Sequence, residues 1–156
     1  YTATPRKNKM DQLLSQAAEI GIAALTPVEF TRSVALPDEP PERWRVRLIE
    51  GCKQSGNPWV PEVHPPVALA ALPELLRQRN TPGFFGEIGG SAGIPDSAPS
   101  AVAWIVGPEG GFTEDEVEMM RAAGWTGIRI GSYVMRLETA AVVGAALLMA
   151  AGEKTR

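Results

Sequence analysis

Arg136 and Glu138 stand on either side of Leu137, between the glycine-bounded segment Ile130-Gly131-Ser132-Tyr133-Val134-Met135 and an almost wholly apolar run. A guanidinium can stabilise negative charge that develops on a reacting group, and a carboxylate can accept a proton. The plainer reading is a surface ion pair that caps a helix. Against it, the run after Leu137 is too apolar for a surface helix. Upstream, Ile105-Val106-Gly107-Pro108-Glu109-Gly110-Gly111-Phe112 supplies a rival base, Glu109, inside a loop that holds three glycines. Gly107, Gly110 and Gly111 remove side chains where the backbone must come close to something, and Pro108 stiffens the segment. The loop has neither Gly-x-Gly-x-x-Gly spacing nor a Gly-Lys-Ser/Thr cradle. Glu114, Asp115 and Glu116 would also repel a phosphate from the helix they open. A cofactor without phosphates suits such a loop better. Incidental glycines in a tight strand-to-helix turn are the plainer reading here, and the second motif weakens it.

The elements that must hold these loops alternate between strands and helices. A helix is predicted over 8–20, capped by Asn8, with Met10, Leu13, Leu14, Ala17 and Ala18 on one face and Gly21 ending it. A strand follows over 22–30 with Pro27 near its end, then a Pro-rich acidic loop over 34–41. A second helix over 41–54 stacks Trp44, Leu48 and Cys52 at intervals of four. Residues 59–63 read as extended, 67–79 as a third helix, 81–88 as a strand, and 89–100 as a loop rich in Gly, Ser and Pro. The apolar run 101–106 suggests a strand buried on both faces. Thr113-Glu114-Asp115-Glu116 is a capping box that opens a helix to about Gly124. A short strand over 126–130 and a final helix over 137–151 complete the chain. That helix is apolar on every side, which predicts burial all round. The pattern is α/β: a mostly parallel sheet with helices on both faces, and both loops at the ends of neighbouring strands, where open α/β sheets bind ligands.

Gly107-Pro108-Glu109-Gly110-Gly111-Phe112, with Arg136-Leu137-Glu138-Thr139-Ala140, resembles the signature of the bacterial 16S rRNA uridine N3-methyltransferases, the RsmE group of the knotted (SPOUT) methyltransferases. Pro5-Arg6-Lys7, Ala17-Ala18-Glu19-Ile20-Gly21, Thr31-Arg32-Ser33, Glu42-Arg43-Trp44 and Gln54-Ser55-Gly56 fall in that family's order. The resemblance covers roughly residues 5–63 and 101–152 and is weak between. It implies a C-terminal trefoil knot and S-adenosylmethionine as cofactor. By the same carry-over, Gly107, Gly110, Gly111, Ile130, Gly131, Ser132, Val134 and Met135 line the cofactor pocket. Apolar Ile130, Val134 and Met135 could sandwich an adenine. Methylation at uridine N3 needs loss of a weakly acidic proton while charge builds on the flanking carbonyl oxygens. Arg136 is assigned to that charge and Glu138 to the proton, with Glu109 the rival base. The resemblance further implies the small ribosomal subunit as partner and a homodimer built through the knot helices. Gln16 and Asn57 stand where the family favours cations, and Lys53 where it favours an acid, which bears on RNA contacts. The rival reading is a dimeric RNA-binding or ribosome-assembly module with weak or no turnover.

The 156 residues suffice for one domain with a real core. The chain starts at Tyr1 without Met, as a fragment would, and the family's N-terminal β-barrel is missing from 1–156. Net charge is −3, awkward for an RNA enzyme. Basic residues nevertheless cluster at Arg6, Lys7 and Lys9 and at Arg43, Arg45 and Arg47, the latter spread around a helix as ordinary solvated charges would be. No apolar run approaches the roughly 18 residues of a membrane span, and no signal segment is evident. One cysteine, Cys52, fits a reducing compartment and a core position, so a cytoplasmic location is expected. His64 lacks any partner pattern, and no Cys/His cluster suggests a metal.

Overall fold

The computed structural model describes residues 1–5, 8–33, 40–90 and 93–153. Helix α1 (Asn8–Ile20) leads to the two-residue strands β1 (Ala24–Leu25) and β2 (Val28–Glu29), and α2 spans Glu42–Ser55. Strands β3 (Glu62–Val63) and β4 (Val67–Ala68), a 3-10 turn (Leu69–Ala71) and α3 (Leu72–Gln78) follow. The second half runs β5 (Gly83–Gly86), β6 (Ala103–Ile105), α4 (Glu114–Ala122), β7 (Thr126–Ile128) and α5 (Leu137–Glu153). The basic pair Arg6-Lys7 and most of the predicted 34–41 loop lie outside the described residues, as do Ser91 and Ala92.

Every strand pairing is parallel. The largest sheet has the order β6-β5-β7, while β1 pairs with β3 and β2 with β4. Thr2 bridges Pro27 on one side and Val106 on the other, both in parallel, and so links the β2 segment to β6. The sequence reading assigned no strand character to Thr2. Its backbone N–H donates to Thr26 O (3.1 Å), and its carbonyl accepts from Val28 N (2.9 Å).

Several predicted boundaries move: the strands predicted over 81–88 and 126–130 shorten to Gly83–Gly86 and Thr126–Ile128, and proline explains two larger changes. The single strand over 22–30 is two pieces, because Pro27 has no N–H to extend the ladder and each piece finds a different partner. The helix predicted over 67–79 begins only at Leu72, with Pro73 in its first turn. A helix begun at Val67 would put that ring in its interior, against the carbonyl four residues back. The apolar run 101–106 is strand only over Ala103–Ile105, and Ala101 is exposed.

Helices α1 and α2 pack through Met10, Leu13, Leu14, Ala18, Trp44, Leu48 and Cys52, as their spacing predicts. Helix α5 buries a stripe of Leu137, Gly144, Leu148 and Ala151. A Cβ on Gly144 would collide with the ring of Trp104 on β6, whose indole N–H donates to Ala140 O at 3.2 Å. Burial all round is not what this chain achieves for α5: Leu147 is 37% exposed, and Thr139 and Ala150 are exposed. One chain supplies neighbours for only part of a helix that is apolar on every side.

Candidate functional site

The carboxyl ends of β5, β6 and β7 open into one cleft of about 540 Å³. Both motif loops reach it, but they are not neighbours: β6 and β7 flank β5, whose own end, Gly86-Glu87-Ile88, forms the wall between them. Gly107, Glu109, Gly111, Ile130, Gly131, Val134, Met135, Arg136 and Glu138 line the cleft. Gly110 and Ser132 are not among the lining residues. The sequence reading missed Lys9, Glu87, Ile88, Phe112, Arg129 and Tyr133, which do line it.

Close approach explains the glycines of the first loop, but what approaches is the protein itself. A Cβ on Gly107 would lie 2.7 Å from Phe112 Cε1 and 2.9 Å from Cδ1. Phe112 in turn meets Phe30 at a ring-centre distance of 5.5 Å and Phe85 at 6.0 Å, edge-on. Gly110 faces Arg32, whose Nη1 donates to the Gly110 carbonyl at 2.7 Å. Gly111 adopts φ of 71°, a left-handed conformation that glycine takes without strain, and its N–H closes a turn on Pro108 O (2.8 Å).

The capping box forms as predicted. Thr113 accepts from Glu116 N (3.2 Å), and Glu116 Oε2 accepts from Thr113 N (2.8 Å). Glu116 also accepts from Thr31 N through Oε1 (2.8 Å), so this buried carboxylate ties the 31–33 segment to the start of α4. Thr31-Arg32-Ser33 therefore clamps the glycine loop from behind. Its only sequence signal was its place in the family's order.

The charged groups divide into held and free. Glu138, in the first turn of α5, is buried, and its Oε1 lies 2.7 Å from Lys9 Nζ on α1. The hydrogen bond from Lys9 holds its carboxyl below the usual carboxylate range; burial works against this, and the charges of Lys9 and Arg136 assist. Glu87 is paired with Arg121 at 2.6 Å. Arg136, Arg129 and Glu109 are exposed and have no ion pair among the described residues. The cleft thus presents two free guanidinium groups, one free carboxylate and a locked Lys–Glu pair around an apolar floor that includes Val106, Ile128 and Leu137.

The remaining candidates fall elsewhere. Cys52 is core, its thiol donating to Trp59 O at 3.4 Å. His64 lies 3.8 Å from Glu62 at the end of β3. Arg43, Arg45 and Arg47 are exposed, and Arg47 is engaged by Asp11 and Glu50. Asn57 donates to Ala18 O (2.9 Å) and accepts from Trp59 N (3.0 Å), which gives that departure a structural job at the end of α1. Among the described residues no group of His, Cys, Asp and Glu could hold a metal, and no helix is long and apolar enough to cross a membrane.

Comparison with known proteins places this geometry. Residues 1–149 match the model of the RNA methyltransferase domain. The ribosomal RNA small subunit methyltransferase E of Aquifex aeolicus is 31% identical over 144 residues, which is 90% of this chain and 62% of that protein. Its namesake from Synechocystis is 26% identical over 155 residues, 95% of this chain and 51% of the relative. The chain therefore spans between half and two thirds of the length of these relatives. The crystal structure of a ribosomal RNA small subunit methyltransferase E from Neisseria gonorrhoeae bound to S-adenosyl methionine superposes with a TM-score of 0.84 at 25% identity, over 97% of this chain and 64% of that one.

Proposed function

The chain belongs to the RNA methyltransferase domain family, and from that premise we propose that it methylates N3 of a uridine in small-subunit ribosomal RNA with S-adenosylmethionine. The carrying observation is the convergence of three strand-end loops on one apolar cleft rimmed by Arg136, Arg129 and Glu109. The residues present fit the cofactor. The cleft floor is apolar, and the loop backbones line it at Gly107, Gly111 and Gly131. Ile130, Val134 and Met135 would hold an adenine. A Cβ on Gly131 would fall 2.6 Å from Met135 Cε, so the flexible end of that methionine would have to swing aside. Bound there, the cofactor supplies a methyl carbon on a positively charged sulfur.

This chain's residues then have two tasks: to take the N3 proton and to stabilise the charge left on the base. Arg136, exposed at the cleft beside the α5 terminus, suits the second. Of the two candidate bases, the geometry favours Glu109, because Glu138 is engaged by Lys9 and held as a poor proton acceptor. The alternative, a non-catalytic RNA-binding or assembly module, draws its support from Gln16, Lys53 and Asn57. None of these lines the cleft, so they leave the cofactor site intact.

The deciding assay incubates the protein with S-adenosylmethionine and small ribosomal subunits that lack the modification, then identifies the product nucleoside. N3-methyluridine is the expected product. Methylation at another atom would replace the uridine reading, and no transfer by a protein that binds the cofactor would favour the assembly module.

The same reading places the enzyme in the cytoplasm and includes the C-terminal trefoil knot. It also makes a homodimer, formed on the side of α5 that leaves Leu147 partly exposed. Sedimentation should give a dimer at micromolar concentration; a stable monomer would remove the composite site. A crystal structure in which α5 passes through no loop would remove the knot.

A further inference from the structure

Lys9 reaches the cleft from α1, outside the three strand-end loops. Its side chain is 42% exposed, while the Glu138 carboxylate that holds it is 7% exposed. An ammonium has three N–H donors, and Glu138 takes one of them in the structure. The others remain for whatever enters the cleft that both residues line. A buried carboxylate at the start of α5, two residues after Arg136, thus fixes a cation at the cleft wall.

Resting on the uridine reading above, we propose that Lys9 is a second cation for the reacting base, held in place by Glu138, which acts as its positioning residue. Loss of the N3 proton spreads negative charge over two carbonyl oxygens, one on each side of N3. A single guanidinium reaching from one side serves one of them best, and a second cation serves the other. The proton passes to a carboxylate, the N3 electron pair bonds to the methyl carbon, and sulfur keeps the pair from the broken S–C bond. Lys9 takes no proton in this scheme. The other charged groups of the cleft are Arg136 before α5, whose charge acts on Glu138, Glu109 on the β6 loop, Glu87 at the end of β5 with its partner Arg121, and Arg129 at the end of β7.

The test measures single-turnover methylation of small-subunit rRNA across pH, with calorimetric cofactor affinity alongside, for wild type, Lys9→Met, Lys9→Arg and the double variant Lys9→Met/Glu138→Gln. Lys9→Met should lose at least about 100-fold at neutral pH, as removal of one such donor does elsewhere. Its deficit should narrow as pH rises and uridine ionises unaided. Cofactor affinity should hold, Lys9→Arg should recover most of the rate, and the double variant should be no slower than Lys9→Met. A wild-type rate in Lys9→Met overturns the proposal. So does a loss that is the same at every pH, matched by lost cofactor affinity and shared by Lys9→Arg, since that is the mark of a purely structural pair. If wild type itself methylates no uridine, the uridine reading fails and takes this proposal with it; an active wild type beside an undiminished Lys9→Met sinks this proposal alone.

Discussion

Arg136→Ala should cut single-turnover methylation by about 10²–10³-fold and leave the affinity for S-adenosylmethionine nearly unchanged. Arg136 is exposed, lines the cleft and has no ion pair among the described residues. Its charge is therefore available to a group that becomes negative only during the reaction. An interaction realised only at that stage lowers the rate and spares ground-state binding. The carboxylates give the comparison its second axis. Glu109→Gln should lose activity that returns as pH rises, because ionised uridine needs no base. Equal losses of affinity and turnover in Arg136→Ala would make that residue an ordinary binding contact. A wild-type pH profile in Glu109→Gln would discard its role as base.

The second large effect concerns the glycine loop, where Gly107 and Gly110 should behave differently. In Gly107→Val the new Cβ falls within 3.0 Å of three atoms of the Phe112 ring. That ring is caught between Phe30 and Phe85 and cannot retreat without disturbing both. The loop must shift instead, and with it one wall of the cleft. Cofactor affinity should fall at least tenfold, or about 1.4 kcal/mol, with the fold retained. In Gly110→Val the Cβ meets the aliphatic part of the exposed Arg32 at 3.2 Å, a contact that a shift of a few tenths of an ångström relieves, and Gly110 lies outside the cleft lining. Its loss should be clearly smaller. Comparable losses at the two positions would show that Gly110 approaches the cofactor after all.

The contrast between these glycines shows where sequence reasoning stopped. Three glycines around Pro108 announced a close approach but not what approached. The answer lay in Phe112, Arg32 and a left-handed turn. Helices were legible because their periodicity is local. Trp44, Leu48 and Cys52 are buried as spaced, and the Thr113–Glu116 capping box forms as written. The strands of the three-stranded sheet were placed by sequence, over 81–88, 101–106 and 126–130, but each with bounds too wide. Val67–Ala68 is strand because β2 is its partner, a contact across the chain that no local pattern carries. The same limit hid part of the site. Arg136 and Glu109 declared themselves within motifs, whereas Lys9 faces Glu138 across most of the chain and looks in sequence like one more surface lysine. The clue was available in one respect: Glu138 opens an apolar helix and, if buried, needed a cation from elsewhere.

That the cleft at the ends of β5, β6 and β7 is a cofactor site is tested most directly by calorimetric titration of the protein with S-adenosylmethionine and its demethylated product. One site per chain is expected for each ligand, with binding weakened in Gly107→Val and largely kept in Arg136→Ala. A folded wild-type protein that binds neither ligand at millimolar concentration, or one whose binding is indifferent to Gly107→Val, would contradict it.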